Sequence, residues 1–161
     1  MSVARASESP VHTMLSGPAG GVSGAAYLAT LAGYPDALGF DMGGTSTDVS
    51  LIQGGKPTQS RQTQLGYYPI KIPPVEVHSV GAGGGSIAHV PMTGALRVGP
   101  DSAGARPGPA CYGHGGELPT VTDANVVLGV LNPSELLGGR MKIDRDLAFA
   151  AMERLAKRLD L

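Results

Sequence analysis

Residues 39–52, GFDMGGTSTDVSLI, place an acid at the end of an apolar run, then a double glycine, then hydroxyl residues, a second acid and aliphatics. Gly43 and Gly44 allow backbone N–H groups to approach an anion, and the hydroxyls of Thr45, Ser46 and Thr47 can donate to phosphate oxygens. Asp41 and Asp48 are carboxylates that can hold a hydrated divalent cation. Together these groups suit a nucleotide-phosphate site. The same pattern also serves as an ordinary tight turn whose Asp and Thr satisfy their own backbone.

A second glycine run, Gly81, Gly83, Gly84, Gly85 and Ser86 in GAGGGS, raises the prospect of a shared ligand. The dinucleotide fingerprint G-x-G-x-x-G is not met, because Ser86 stands where the third glycine belongs and no helix pattern follows. His78, just before this run, and Asp123, after a long irregular segment, are candidate acid–base groups, although each also suits a satisfied structural role. Cys111 and His114 are three apart with no second Cys/His pair to complete a zinc pattern, so a transition-metal site is not expected. Cys111 reads as a packed, inert thiol. Arg97 and Arg106 flank the irregular segment and read as solvated loop residues.

These groups need elements to position them. Residues 37–40 suit a short buried strand and 47–51 a second, joined by the Gly43 and Gly44 turn into a hairpin with a polar tip. Gly54 and Gly55 predict another turn and a third strand over 57–65. Ahead of the hairpin, SGPAGGVSGAAYLATLAGY predicts a helix with Pro18 in its first turn and Gly33 as its stop. Gly20, Gly21 and Gly24 cost that helix about 1 kcal/mol each relative to alanine, which predicts a close neighbour, either another helix or a ligand. Residues 67–80 read as extended and broken by Pro69, Pro73 and Pro74, with short apolar runs following at 87–90 and 95–98. From Gly99, four prolines before Val121 predict an ordered irregular segment. Thr122 or Asp123 is placed to cap a short helix ending near Leu131, and Asp144 to open a last helix through Leu159. That last helix carries an apolar face of Leu147, Ala148, Ala151, Met152, Leu155 and Leu159.

The 161 residues suffice for one domain with a real core, preceded by a flexible polar lead-in over residues 1–14. With 42% hydrophobic and 16% charged residues the chain is neither disordered nor a charged tail, and no apolar run reaches membrane-spanning length. A formal charge of -1 with scattered basic residues argues against nucleic-acid binding, leaving small molecules and proteins as partners. One cysteine permits no internal disulfide, and the N-terminus lacks the apolar core of a signal peptide. A cytoplasmic protein is expected.

Four motifs, in order, resemble one family: SGPAGGVSGA at residues 16–25, FDMGGTSTDVSLI at 40–52, HSVGAGGGSIA at 78–88, and GPDSAGARPGPACYGHGGELPTVTDANVVLG at 99–129. The likeness continues through GGRMKIDRDLA and is to the hydantoinase A/5-oxoprolinase family, which includes N-methylhydantoinase A and the acetone carboxylase beta subunit. It implies an α/β (mixed α+β) chain forming one partial lobe of an actin/sugar-kinase/Hsp70-like ATPase fold, with a phosphate-binding β-hairpin. ATP and Mg2+, with Mn2+ as a substitute, are the implied cofactors, and Asp41 and Asp48 the implied metal-bearing carboxylates. Such enzymes couple ATP hydrolysis to opening a cyclic amide, a hydantoin or 5-oxoproline, or to carboxylating a ketone. Phosphorylating the amide oxygen turns it into a leaving group that water can displace.

The resemblance also implies absent parts. Family proteins are several times longer and carry a similar hairpin in a first lobe that has no copy here. A central fragment, inactive alone, is therefore expected, with the missing lobe and a hydantoinase B-type subunit as partners. A ketone carboxylase-type subunit, or a noncatalytic nucleotide-binding or subunit-interaction piece, is the alternative.

Overall fold

A computed structural model describes residues 2–60, 63–65, 67–70, 74–134 and 139–161. The chain divides into two compact units, Met1–Asp41 with Asp48–Ser79, and Met42–Thr47 with Val80–Leu161.

In the first unit the polar start forms a short helix, α1 (Val3–Glu8), whose N-cap Ser2 accepts a bond from the Arg5 N–H. The alanine-rich stretch forms α2 (Ser16–Leu31), with Pro18 in the first turn, where a missing N–H costs nothing. Gly33 follows the helix end at φ 85°. Val22 and Ala26 are buried. A Cβ added at Gly17, Gly20 or Gly24 would meet nothing within 4 Å, so the described chain supplies no close neighbour for these glycines. Only Gly21 has a neighbour, the Asp41 carboxylate, at 3.5 Å from such a Cβ.

β1 (Ala37–Met42), β2 (Thr47–Gln53) and β3 (Lys56–Pro57) form the expected meander in that order. β3 pairs antiparallel with β2, Ile52 opposite Pro57 and Gln53 opposite Lys56. Gly54 and Gly55 make the turn at φ 57° and 75°, the left-handed pair that a tight two-residue hairpin demands. The third strand is shorter than the 57–65 expected. Pro57 cannot donate to a ladder, and Thr63–Leu65 (β4) belongs instead to a separate antiparallel pair with Tyr68–Ile70 (β5). Residues 61 and 62, within the expected strand, and Pro73 lie outside the described residues. β6 (His78–Val80) also pairs with β2, giving the sheet a fourth strand.

In the second unit β7 (Ser86–His89) and β8 (Arg97–Ser102) pair antiparallel, with Ala88 opposite Val98 and His89 opposite Arg97. β8 extends past its apolar start into Gly99–Ser102 because Ser102 pairs with Ser86 at the foot of the glycine run. Beyond it the proline-rich segment contains one 3₁₀ turn, Ala110–Tyr112. α3 (Val121–Val127) is capped by Thr120, two or three residues earlier than expected; Asp123 takes the third position of a capping box instead. The helix gives way at Leu128 and Gly129, at φ 74°, so it ends before Leu131. α4 (Arg145–Arg158) starts as expected, the Asp144 carboxylate accepting from Asp146 and Leu147 N–H groups. Its Ala148, Ala151 and Leu155 are buried, and Ala148 joins Cys111, Val126 and Ile143 in the core. Among the described residues no helix is long and apolar enough to cross a membrane.

Candidate functional site

The hairpin tip belongs to the second unit, and the glycine run packs against it. Gly84 N–H donates to the Gly43 carbonyl at 2.9 Å and Gly85 N–H to the Gly44 carbonyl at 2.7 Å. Thr47 Oγ1 donates to the Ala82 carbonyl at 2.5 Å. Inside the run, Gly83 N–H donates to Ser86 Oγ at 2.8 Å and Ser86 N–H returns to the Gly83 carbonyl at 3.0 Å. From behind, Thr122 donates through both its N–H and its hydroxyl to the Gly84 carbonyl, each at 2.8 Å.

The N–H groups of Gly83, Gly84, Gly85 and Ser86 are thus committed within the protein. The glycines serve close approach: a Cβ on Gly83 would lie 2.6 Å from the Gly43 carbonyl oxygen and 2.7 Å from the Ser46 nitrogen. On Gly85 it would lie 2.9 Å from the Gly44 carbonyl oxygen. The run is a buttress for the tip. Gly81, by contrast, is exposed, and a Cβ there would meet nothing within 4 Å.

At the tip, Gly43 N–H donates to the Ser46 carbonyl at 2.9 Å, which closes the turn. Gly44 and Thr45 are exposed, and among the described residues their N–H groups have no acceptor. Two free backbone donors on a pinned turn, beside a threonine hydroxyl, fit the terminal phosphates of a nucleotide.

Asp41 and Asp48 lie in the first unit. Both border a groove of about 360 Å³ between α2 and the sheet, together with Gly21, Gly24 and Phe40. Ser79 Oγ donates to Asp48 Oδ1 at 2.6 Å, fixing that carboxylate and leaving Oδ2 outside the bond. Among the described residues no three His, Cys, Asp or Glu side chains gather into a metal cage. Two carboxylates on one groove fit magnesium, which keeps several waters and takes one or two protein carboxylates beside phosphate oxygens.

The other two acid–base candidates are placed differently. His78 is exposed, 3.6 Å from Glu76, and borders a separate groove of about 250 Å³ with Leu15, Pro18 and Ser79. Asp123 is fully buried in the second unit. Its Oδ1 accepts from Cys111 N–H at 2.8 Å. Its Oδ2 accepts from Thr120 N–H at 2.9 Å, Thr120 Oγ1 at 2.8 Å and Ala110 N–H at 3.2 Å. With both oxygens so engaged, Asp123 ties the 3₁₀ turn to the start of α3. Burial pushes the neighbouring Cys111 thiol far up, helped by the hydrogen bond and charge of Asp123. Tyr112 is raised for the same first reason, with Cys111 adding to it. Cys111 is accordingly a protonated core thiol.

Sequence reasoning gave Ser79 no part in the site and gave Thr122 only a capping role. The signal for Ser79 was its place directly after His78 in a strand beside the hairpin; for Thr122 there was none, because only the fold brings its hydroxyl to the Gly84 carbonyl.

The caprolactamase subunit alpha of Pseudomonas jessenii is 46% identical over 145 residues, covering 90% of this chain and 21% of that subunit. The solved structure of the ATP-dependent caprolactamase superposes with a TM-score of 0.75 at 44% identity, over 89% of this chain and 21% of the other. A nucleotide-free acetone carboxylase structure gives 0.76 at 41% identity, over 92% and 21%. The 5-oxoprolinase 1 of Arabidopsis thaliana is 46% identical over 156 residues, 92% of this chain and 12% of that protein. The chain therefore spans between about an eighth and about a fifth of these relatives' length, and its mixed α/β architecture with antiparallel sheets is the ATPase-like fold that the sequence motifs implied. The sequence profile of the hydantoinase/oxoprolinase family matches residues 1–161, and the chain belongs to that family.

Proposed function

We propose that this chain is the phosphate-handling part of an ATP-dependent hydrolase that opens cyclic amides, with 5-oxoproline- or hydantoin-like rings as the substrate class. The observation that carries the reading is the hairpin tip, where Gly44 and Thr45 offer exposed N–H groups unpaired among the described residues while the glycine run holds the turn. The caprolactamase and 5-oxoprolinase relatives support amide chemistry, and the ATP dependence of the caprolactamase and of acetone carboxylation supports ATP as the cofactor. Gly44, Thr45 and Ser46 are the proposed phosphate-binding residues, with Gly43 and Thr47, whose N–H and hydroxyl are committed to the Ser46 and Ala82 carbonyls, holding the turn, and Asp41 and Asp48 are the proposed magnesium-bearing carboxylates. Gly83, Gly84, Gly85 and Ser86 act by shaping the tip. Magnesium, when bound, would screen phosphate charge.

Several of the relatives are named as subunits, which supports a companion subunit as partner. Ketone carboxylation on the same scaffold is the second reading, favoured by the acetone carboxylase structure.

Isothermal titration of Mg·ATP into the chain tests the assignment. Binding is expected, weakened about tenfold or more in Asp41→Ala by loss of a charge-assisted ligand. Equal binding in both proteins would remove Asp41 from the site, and binding in neither would overturn the reading for this chain.

A further inference from the structure

Another groove, of about 360 Å³, lies wholly within the second unit, between β7, residues 117–119 and α4. It is separate from the hairpin tip and independent of the ATP reading. Ile87, Leu118 and Leu155 give it an apolar wall. Arg154 and Arg158 stand four residues apart on α4, so their side chains share one helix face.

Each arginine is anchored by one nitrogen. Arg154 Nη2 donates to the Glu117 carbonyl at 2.6 Å, and Arg158 Nη2 to the Val90 carbonyl at 3.2 Å. Anchoring restricts the rotamer freedom that an arginine must otherwise lose on binding. Among the described residues neither guanidinium has a carboxylate within 4.0 Å, so the other donors of each fork have no ionic partner.

Asp101, Glu117 and His89 complete the charged and titratable lining. The two acids offset the two arginines, which disfavours a polyanion. A single carboxylate can use a guanidinium fork with little of that repulsion. We propose that this groove binds a small organic monocarboxylate, its charge held by Arg154 and Arg158 and its hydrocarbon body laid against Ile87, Leu118 and Leu155.

Amide and methyl NMR titration of the whole 161-residue chain tests the site, with acetate, butyrate and hexanoate as probes. Saturable shifts are expected at Ile87, Ala88, Leu118 and Leu155, with affinity rising up to about fourfold for each added methylene that becomes buried. Arg154→Gln and Arg158→Gln should each weaken hexanoate about tenfold. Leu118→Glu, at a side chain already 55% exposed, should weaken it without altering the fold. Hexanoate shifts that survive both arginine replacements would overturn the proposal. So would hexanamide binding as well as hexanoate, tripolyphosphate binding more tightly at the same residues, or no saturable shift at all.

Discussion

Asp123 shows how a residue suited to acid–base chemistry can instead be structural. Its two oxygens accept four hydrogen bonds from Ala110, Cys111 and Thr120, so it organises the backbone around a buried thiol. The sequence marked Asp123 as polar at the end of an irregular segment, but it could not show that Thr120 caps the helix, because Thr120, Thr122 and Asp123 are all good caps. The buried thiol gives the site a pH signature. Burial holds Cys111 protonated well above its ordinary value of 9.0. Below about pH 9 the folded and unfolded chains both keep that proton, and the group contributes no slope. Above it the unfolded chain sheds a proton that the native chain retains, so stability falls as pH rises. Urea unfolding at pH 8 and pH 10 should show the native sequence losing about 1 kcal/mol more than Cys111→Ala over that interval. Identical pH slopes in the two proteins would refute the assignment.

At the scale of elements, the hairpin was legible because its apolar alternation and double glycines are local signals, and α4 because its acidic cap and apolar face repeat at helical spacing. The partner of the glycine run was not legible. GAGGGS looks the same whether its N–H groups meet a phosphate or a carbonyl, and only the fold brings Gly43 and Gly44 to Gly84 and Gly85. In Gly83→Ala the new methyl carbon would stand 2.6 Å from a backbone oxygen, and the tip backbone must shift to admit it. A loss of about 2 kcal/mol is expected in denaturant unfolding, within the range for overpacking. Gly81→Ala, with open space around the new carbon, should change stability by less than about 0.5 kcal/mol. Equal effects at the two positions would contradict the buttress.

At the scale of the whole molecule, the chain carries the glycine-tipped hairpin and a groove with two carboxylates, while its relatives are about four to eight times its length, as the 21% and 12% coverages require. The bare glycine face of α2 fits this. Gly17, Gly20 and Gly24 have no neighbour among the described residues, yet each weakens the helix, and Tyr27, Leu28 and Leu31 are 63–72% exposed beside them. Purified alone, the chain should open 5-oxoproline or hydantoin with little or no ATP-dependent turnover, measured by coupled ADP release and ring-opened product. Turnover at about 1 s⁻¹ or faster, ordinary for enzymes, would show that the 161 residues are sufficient. The buttress also bears on how mutational scans of longer relatives are read. A scan scored on nucleotide affinity would flag Gly83 and Gly85 as strongly as Gly44, although their amides are bonded to Ser86 Oγ and to the Gly44 carbonyl. Sensitivity at those two positions would report the rigidity of the hairpin, and counting them as contacts would inflate the apparent footprint of the ligand.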